Sequence, residues 1–349
     1  MNNTQDMRGK AYRLLARLWL AEIDAPLAAS LRRLPGFAAH IPAAADAAWL
    51  DEMAAEYGRV LAQNVYPYES MFVGDDLMLN TDATRQVEDL YNLAGYAPQG
   101  ARVAALDHLG VELDFMAHLI AAADDGPDPA AARELQARFL AERLAYWAPV
   151  CALTVARLAP HPIYATMAQL TWELVLAESA LPGPLSHGER DGVRVPTPGA
   201  DPKTLTQPLP EGEGPDMSPS LPAWEKGPGG EGEMESLGQV ARMLLTPARV
   251  GVFLCREDVR RIGRALGLPT PLGDRFTMLR ALFEAAAQFD LLPALLAALA
   301  ALWRDADAQV VALAAEAPAW AGDSQAWRER VAAGQALLDG LREALMSDV

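Results

Sequence analysis

From Leu181 to about Glu235 the chain is so rich in Pro and Gly (it opens LPGPLSHGERDGVRVPTPG and closes EKGPGGEGE) that neither a continuous helix nor a packed core can form from it. Any fold must therefore be assembled from the sequence on either side. Before this tract, apolar residues recur at helical spacing, which predicts helices near 7–22, 46–63, 82–94, 106–123, 130–158 and 162–178. Breaks fall at Pro26, at Pro35-Gly36, at Gly74-Asp75-Asp76, between Gly95 and Gly100, and at DDGPDP, residues 124–129. Helical patterning resumes after Glu235 and runs to the end, with Asp274 and Asp323 placed as N-caps and Gly267 as a C-terminal stop. No run alternates with period two, so no sheet is expected. The reading is an all-α chain in three parts: helices over 1–180, a flexible insertion over 181–235, and further helices over 236–349 that pack with the first part.

The balance of charge narrows the partners. A formal charge of −17 and a pI near 4.7 oppose nucleic-acid binding, which needs clustered Lys and Arg to meet phosphate. Basic or apolar partners suit such a chain better. Cys151 and Cys255 are far apart and outside any Cys-x-x-Cys spacing, so both read as buried thiols rather than as a disulfide or zinc framework. Arg13 and Arg17 interrupt the hydrophobic run near the N-terminus, which reads as an amphipathic helix rather than a secretory signal. The longest apolar run, Leu291 to Trp303, is shorter than the roughly 18–20 residues that cross a bilayer. A cytoplasmic location without stable membrane insertion is expected.

Chemistry-bearing residues concentrate in ALDHLGVELDFMAHL, residues 105–119. On a helix, Leu106, Leu109, Leu113, Met116 and Ile120 form one seam that faces the core. Asp107, Val111, Asp114 and His118 lie opposite, and His108, Glu112, Phe115 and Leu119 make a mixed stripe between them. Three readings compete for these polar groups. His108 and Glu112 at i, i+4, with His118, could begin a metal or enzyme site, but a repeated Glu-x-x-His pattern is lacking. GxSxG, GxGxxG and P-loop motifs are absent as well, so no catalytic residue and no cofactor is expected. The plainest reading has Asp107 capping the helix and His108 as a partly buried hydrogen-bonding residue.

The third reading comes from the order of motifs. YPYESMF at 66–72, an acidic Gly-containing turn, VEDLYNLAGY at 87–96 and then LDHLGVELDFMAHL resemble the TorD/DmsD/NarJ family of redox-enzyme maturation chaperones. FLAERLAYWAPVCALTVARLAPHPIYATMAQLTWEL at 139–174 is similar to the helices that follow in that family, so the resemblance spans roughly Met7 to Ala177. Ala105-Leu106 stand where the family has Pro before its Asp-His pair. The resemblance implies a TorD-like helical bundle that is not an enzyme. It would bind the twin-arginine signal peptide, or the body, of a molybdopterin-dependent oxidoreductase subunit until its cofactor is inserted. The implied peptide-binding residues are Tyr68, Glu69, Ser70, Phe72, Asp107, His108, Glu112 and Phe115. In that picture Glu69, Asp107, Glu112 and Asp114 face arginines while Tyr68, Phe72 and Phe115 line an apolar groove. A homodimer formed by helix exchange across the insertion stays open.

Overall fold

Helices account for the regular structure in the computed structural model, which describes residues 3–98, 103–180, 230–270 and 272–347; no strand occurs among them. The first part contains α1 (Asn3–Leu20), α2 (Ala25–Leu31), α3 (Pro35–Ala38), α4 (Ala47–Tyr57), α5 (Glu69–Val73), α6 (Asp82–Leu93), α7 (Leu109–Asp125), α8 (Pro129–Phe139), α9 (Ala145–Leu158) and α10 (Pro162–Ser179). The second contains α11 (Gly230–Leu244), α12 (Pro247–Val250), α13 (Arg256–Ala265), α14 (Arg275–Gln288), α15 (Leu292–Glu316) and α16 (Ala321–Ser347). Most of the Pro/Gly-rich insertion, 181–229, lies outside the described residues, and helix α11 begins inside the stretch assigned to it by sequence.

Several breaks expected from sequence are helix starts. Pro26 and Pro35 occupy first-turn positions of α2 and α3, where the missing N–H costs nothing. Asp24, Asp46, Asp128 and Asp274 each cap a helix by accepting from a backbone N–H two or three residues on. Gly267 adopts φ +68 just beyond α13, as a C-terminal stop requires. Asp323 is not a cap: α16 already begins at Ala321 and Asp323 falls in its first turn, where a negative charge still suits the helix dipole.

Helix α1 crosses α7, and the approach is close because residue 110 is glycine. A Cβ there would lie 2.6 Å from Cγ of Leu20 and 3.0 Å from the carbonyl oxygen of Ala16. Helices α8 and α9 join through a π-helical turn, Leu140–Leu144, into one run from Pro129 to Leu158. By length and composition that run could cross a membrane, but 72% of its most apolar window is buried inside the protein, as expected of a core helix.

The two parts share side chains. Phe253, Cys255, Val310, Leu313, Trp320 and Trp327 belong to the hydrophobic core built mainly by the first ten helices, while a second core gathers α11 and α14–α16. Pro149 sits inside α9 and has no N–H to give the carbonyl of Ala145; the indole Nε1 of Trp320 donates to that oxygen at 2.9 Å instead. Trp327 donates likewise to Tyr146 O at 2.6 Å. Between α12 and α13 the chain has no helical structure, yet residues 251–255 are all buried. Such a segment needs partners for its backbone groups. Arg275 donates to Leu254 O at 3.3 Å, Cys255 N donates to Asp258 Oδ2 at 3.1 Å, and Trp303 Nε1 donates to Val250 O at 2.8 Å. The carboxylate of Asp258, fully buried, is held by Arg157 at 2.9 Å, which ties α13 to α9. Both cysteines are free and buried, as their isolation in the sequence predicted.

Candidate functional site

The two sequence motifs meet. Tyr68 and His108 form an isolated antiparallel bridge, in which Glu69 N donates to Asp107 O at 2.9 Å and Leu109 N donates to Pro67 O at 2.8 Å. Each side of this bridge immediately precedes a helix, so the starts of α5 and α7 are held side by side. Their caps are shared across the bridge. Asp107 Oδ2 accepts from Ser70 N at 2.8 Å, capping α5 rather than its own helix. His108 is the N-cap of α7, its Nδ1 accepting from Gly110 N at 3.0 Å, which fixes the imidazole proton on Nε2. His161 caps α10 by the same geometry, Nδ1 accepting from Ile163 N at 3.3 Å.

Two positive helix ends account for the carboxyl groups gathered here. Glu69 opens α5, Glu112 lies in the first turn of α7, and Asp107 sits between the helices. Arg143, on the π-helical turn, reaches Glu69 Oε1 at 2.8 Å and also contacts Gln86 of α6. Trp147 Nε1 donates to Glu112 Oε2 at 3.1 Å. Three carboxyl oxygens remain buried without a partner: Glu69 Oε2, Asp107 Oδ1 and Glu112 Oε1. For the Glu69–Glu112 pair, a retained proton can be shared between the two carboxyls. Burial, opposed by the Arg143 guanidinium, raises Glu69 to about 7, and burial together with the neighbouring Glu69 and Asp107 carboxyls raises Glu112 well above the usual carboxylate range. Burial also lowers His108 to about 4, so it is neutral at physiological pH.

This placement encloses most of the residues expected to bind a peptide. Asp107 and Glu112 are fully buried, Glu69 is 2% exposed and His108 6%, so these groups do not fringe an open groove. Phe72 is stacked on Phe253 at 4.9 Å and tilted against Trp147 at 5.4 Å. Phe115 is enclosed by Tyr91, Tyr96, Phe139 and His118. Ser70 is buried as well, while Tyr68 is half-buried, edge-on to His108 at 4.9 Å, with its hydroxyl accepting from Ala104 N. The reason is geometric. Helix α7 begins at Leu109 rather than Leu106, so Asp107 and His108 belong to the bridge and turn inward instead of continuing a helical stripe. Nor do His108, Glu112 and His118 converge: no group of three potential metal ligands is found among the described residues.

An open concavity lies next door. A cleft of about 450 Å³ runs between the end of α6, the outer face of α7 and helix α8, lined by Leu93, Ala94, His118, Leu119, Leu135 and Arg138, among others. Leu93 is 68% exposed, an apolar side chain left uncovered at the rim. Asp114, one turn before His118, accepts from the Tyr96 hydroxyl at 2.7 Å, and His118 Nε2 lies 3.4 Å from Ala94 O. Exposed Asp124 and Asp125 end α7, where the helix dipole disfavours negative charge. Asp128, which caps α8, completes an acidic corner beside the cleft. Sequence reasoning named His118 only as a metal ligand and did not single out Arg143, Trp147 or the α8 wall. The charged pair Glu142-Arg143 inside an otherwise apolar run was the available signal for Arg143.

The family model described as nitrate reductase delta subunit matches residues 20–152, a span that contains both motifs, the carboxyl cluster and the cleft. No curated protein and no solved structure matches the chain.

Proposed function

We propose that this chain is the assembly chaperone of one molybdopterin-dependent oxidoreductase, because residues 20–152 match the model of the nitrate reductase delta subunit family, whose members are molybdoenzyme assembly chaperones rather than catalysts. Chaperones of this family act in the cytoplasm on molybdoenzyme catalytic subunits. In our reading, the client segment is apolar with a basic flank, as a twin-arginine signal is. Its apolar residues enter the α6–α7–α8 cleft, and its arginines meet Asp124, Asp125 and Asp128. The bridge between Tyr68 and His108, with Glu69, Ser70, Phe72, Asp107, Glu112 and Phe115 behind it, acts as the internal frame that fixes α7 as one wall of that cleft.

The observation that carries the site is the apolar lining of the cleft, exposed at Leu93 and half-buried at Leu135, beside an acidic helix end. An apolar segment laid there gains roughly 25 cal/mol per Å² of area removed from water, while the aspartates guide its basic flank. Residues 1–180 form the chaperone part in this proposal, and 236–349 brace it from behind.

Fluorescence anisotropy of a labelled twin-arginine signal peptide tests the proposal, with an Arg-to-Lys peptide as control. Replacing Leu93 and Leu135 together by Ser is expected to weaken binding by about tenfold or more while leaving the far-ultraviolet dichroism intact. Unchanged affinity in that folded variant would move the peptide elsewhere. Failure of the chaperone to co-purify with any molybdoenzyme subunit when expressed in its own cells would overturn the chaperone reading itself.

A further inference from the structure

Arg275 is only 7% exposed, yet no carboxylate pairs with it among the described residues. Its guanidinium lies 4.2 Å from the ring centre of Phe253 and 5.7 Å from that of Tyr66, and donates to Leu254 O. Burial brings it down only to about 10, so it is cationic at neutral pH. Arg256 approaches from the first turn of α13. Its Nη2 meets the Tyr66 hydroxyl at 3.1 Å, and its Nε is buried with no partner.

The acids nearest in sequence are engaged elsewhere. Glu257 holds Arg260 and Arg264, Asp258 holds Arg157 and Arg261, and Asp274 caps α14 through Thr277. Two guanidinium groups thus converge on one tyrosine with no salt bridge to either among the described residues, Asp274 acting on Arg275 only through its field, in a protein whose net charge is −17. Aromatic faces offset part of the cost of burying such a cation but do not neutralise it; one in-plane donor of Arg275 goes to Leu254 O, and the buried Arg256 Nε is left without an acceptor. Arginine pairs of this kind match the oxygens of a doubly charged tetrahedral anion.

We propose that Tyr66, Arg256 and Arg275 form a phosphate-binding site at the seam between the two parts of the molecule. The ligand is a phosphate group, either the free ion or a small phosphate monoester. Its two negative charges balance the two guanidinium groups, and the Tyr66 hydroxyl supplies a further hydrogen bond. Because Tyr66 comes from the first part and both arginines from the second, an occupied site stiffens the seam.

Calorimetric titration of the full chain with inorganic phosphate and with phenyl phosphate, at ionic strength held constant with sodium chloride, tests this. Saturable one-to-one binding is expected, together with a rise in Tm, and Arg256→Gln should lower the affinity by about tenfold or more. Arg256 is half-buried and outside both cores, so this variant keeps the fold; Tyr66→Phe, which removes only the hydroxyl, should weaken binding less. Preference for phenyl phosphate assigns the site to an ester, and preference for inorganic phosphate assigns it to the free ion. Absence of saturable binding for both probes, acetate binding as tightly as phosphate, or unaltered affinity in Arg256→Gln would overturn the proposal.

Discussion

Replacing Glu69 by Gln puts the buried carboxyl cluster to a direct thermodynamic test. A rise from the ordinary 4.5 to about 7, caused chiefly by burial, means that the folded protein keeps a proton which the unfolded chain has released. The stability tied to that proton is fully present below pH 4.5 and is lost as pH rises through about 7. At 1.36 kcal/mol per unit, the loss is on the order of 3 kcal/mol. His108 works in the opposite direction: held neutral by burial, it withdraws stability as pH falls from 6.5 to about 4. A single stability curve therefore mixes these trends with that of Glu112, which burial and the Glu69 charge also raise. Urea unfolding of wild type and Glu69→Gln at matched pH values removes the His108 trend and reports the coupled Glu69–Glu112 pair, because His108 is common to both proteins and Gln keeps an acceptor for Arg143. The variant should gain on wild type by on the order of 3 kcal/mol between pH 4 and pH 8. A flat difference, or wild type gaining as pH rises, would mean that Arg143 holds Glu69 ionised and that the proton-sharing account of the cluster is wrong.

Two further outcomes follow from the caps and the seam. Asp107→Ala removes the acceptor for Ser70 N and should cost about 1–2 kcal/mol, whereas Asp107→Asn keeps an acceptor and should recover most of it; equal losses by urea midpoint would rule out the cap. Trp320→Phe leaves the Ala145 carbonyl beside Pro149 unanswered in the core and should cost about 1–3 kcal/mol in thermal unfolding, and an unchanged Tm would show that the oxygen finds another donor.

Helix content was legible because apolar spacing at 3, 4 intervals depends only on local sequence, and α1, α6 and α10 lie close to their predicted spans. Prolines were harder to interpret. Pro26 and Pro35 signal a break and a helix start equally well, and only the tertiary course of the chain decides between them. Pairing of YPYESMF with LDHLGVEL could be suspected from family resemblance but not from pattern, since one bridge between residues 68 and 108 leaves no periodic trace. The burial of Asp107 and His108 leaves no trace in the pattern for the same reason: a helix drawn from Leu106 sets both on its outer stripes, and a start three residues later turns both inward. The cleft escaped notice because it depends on how α6, α7 and α8 diverge, which no single segment encodes.

The Ala145 carbonyl that Pro149 leaves vacant takes its donor from Trp320, 175 positions later in the chain. The α9 backbone is therefore satisfied only by a residue of the second part, so separating the two parts would leave a buried acceptor unanswered in the middle of the first.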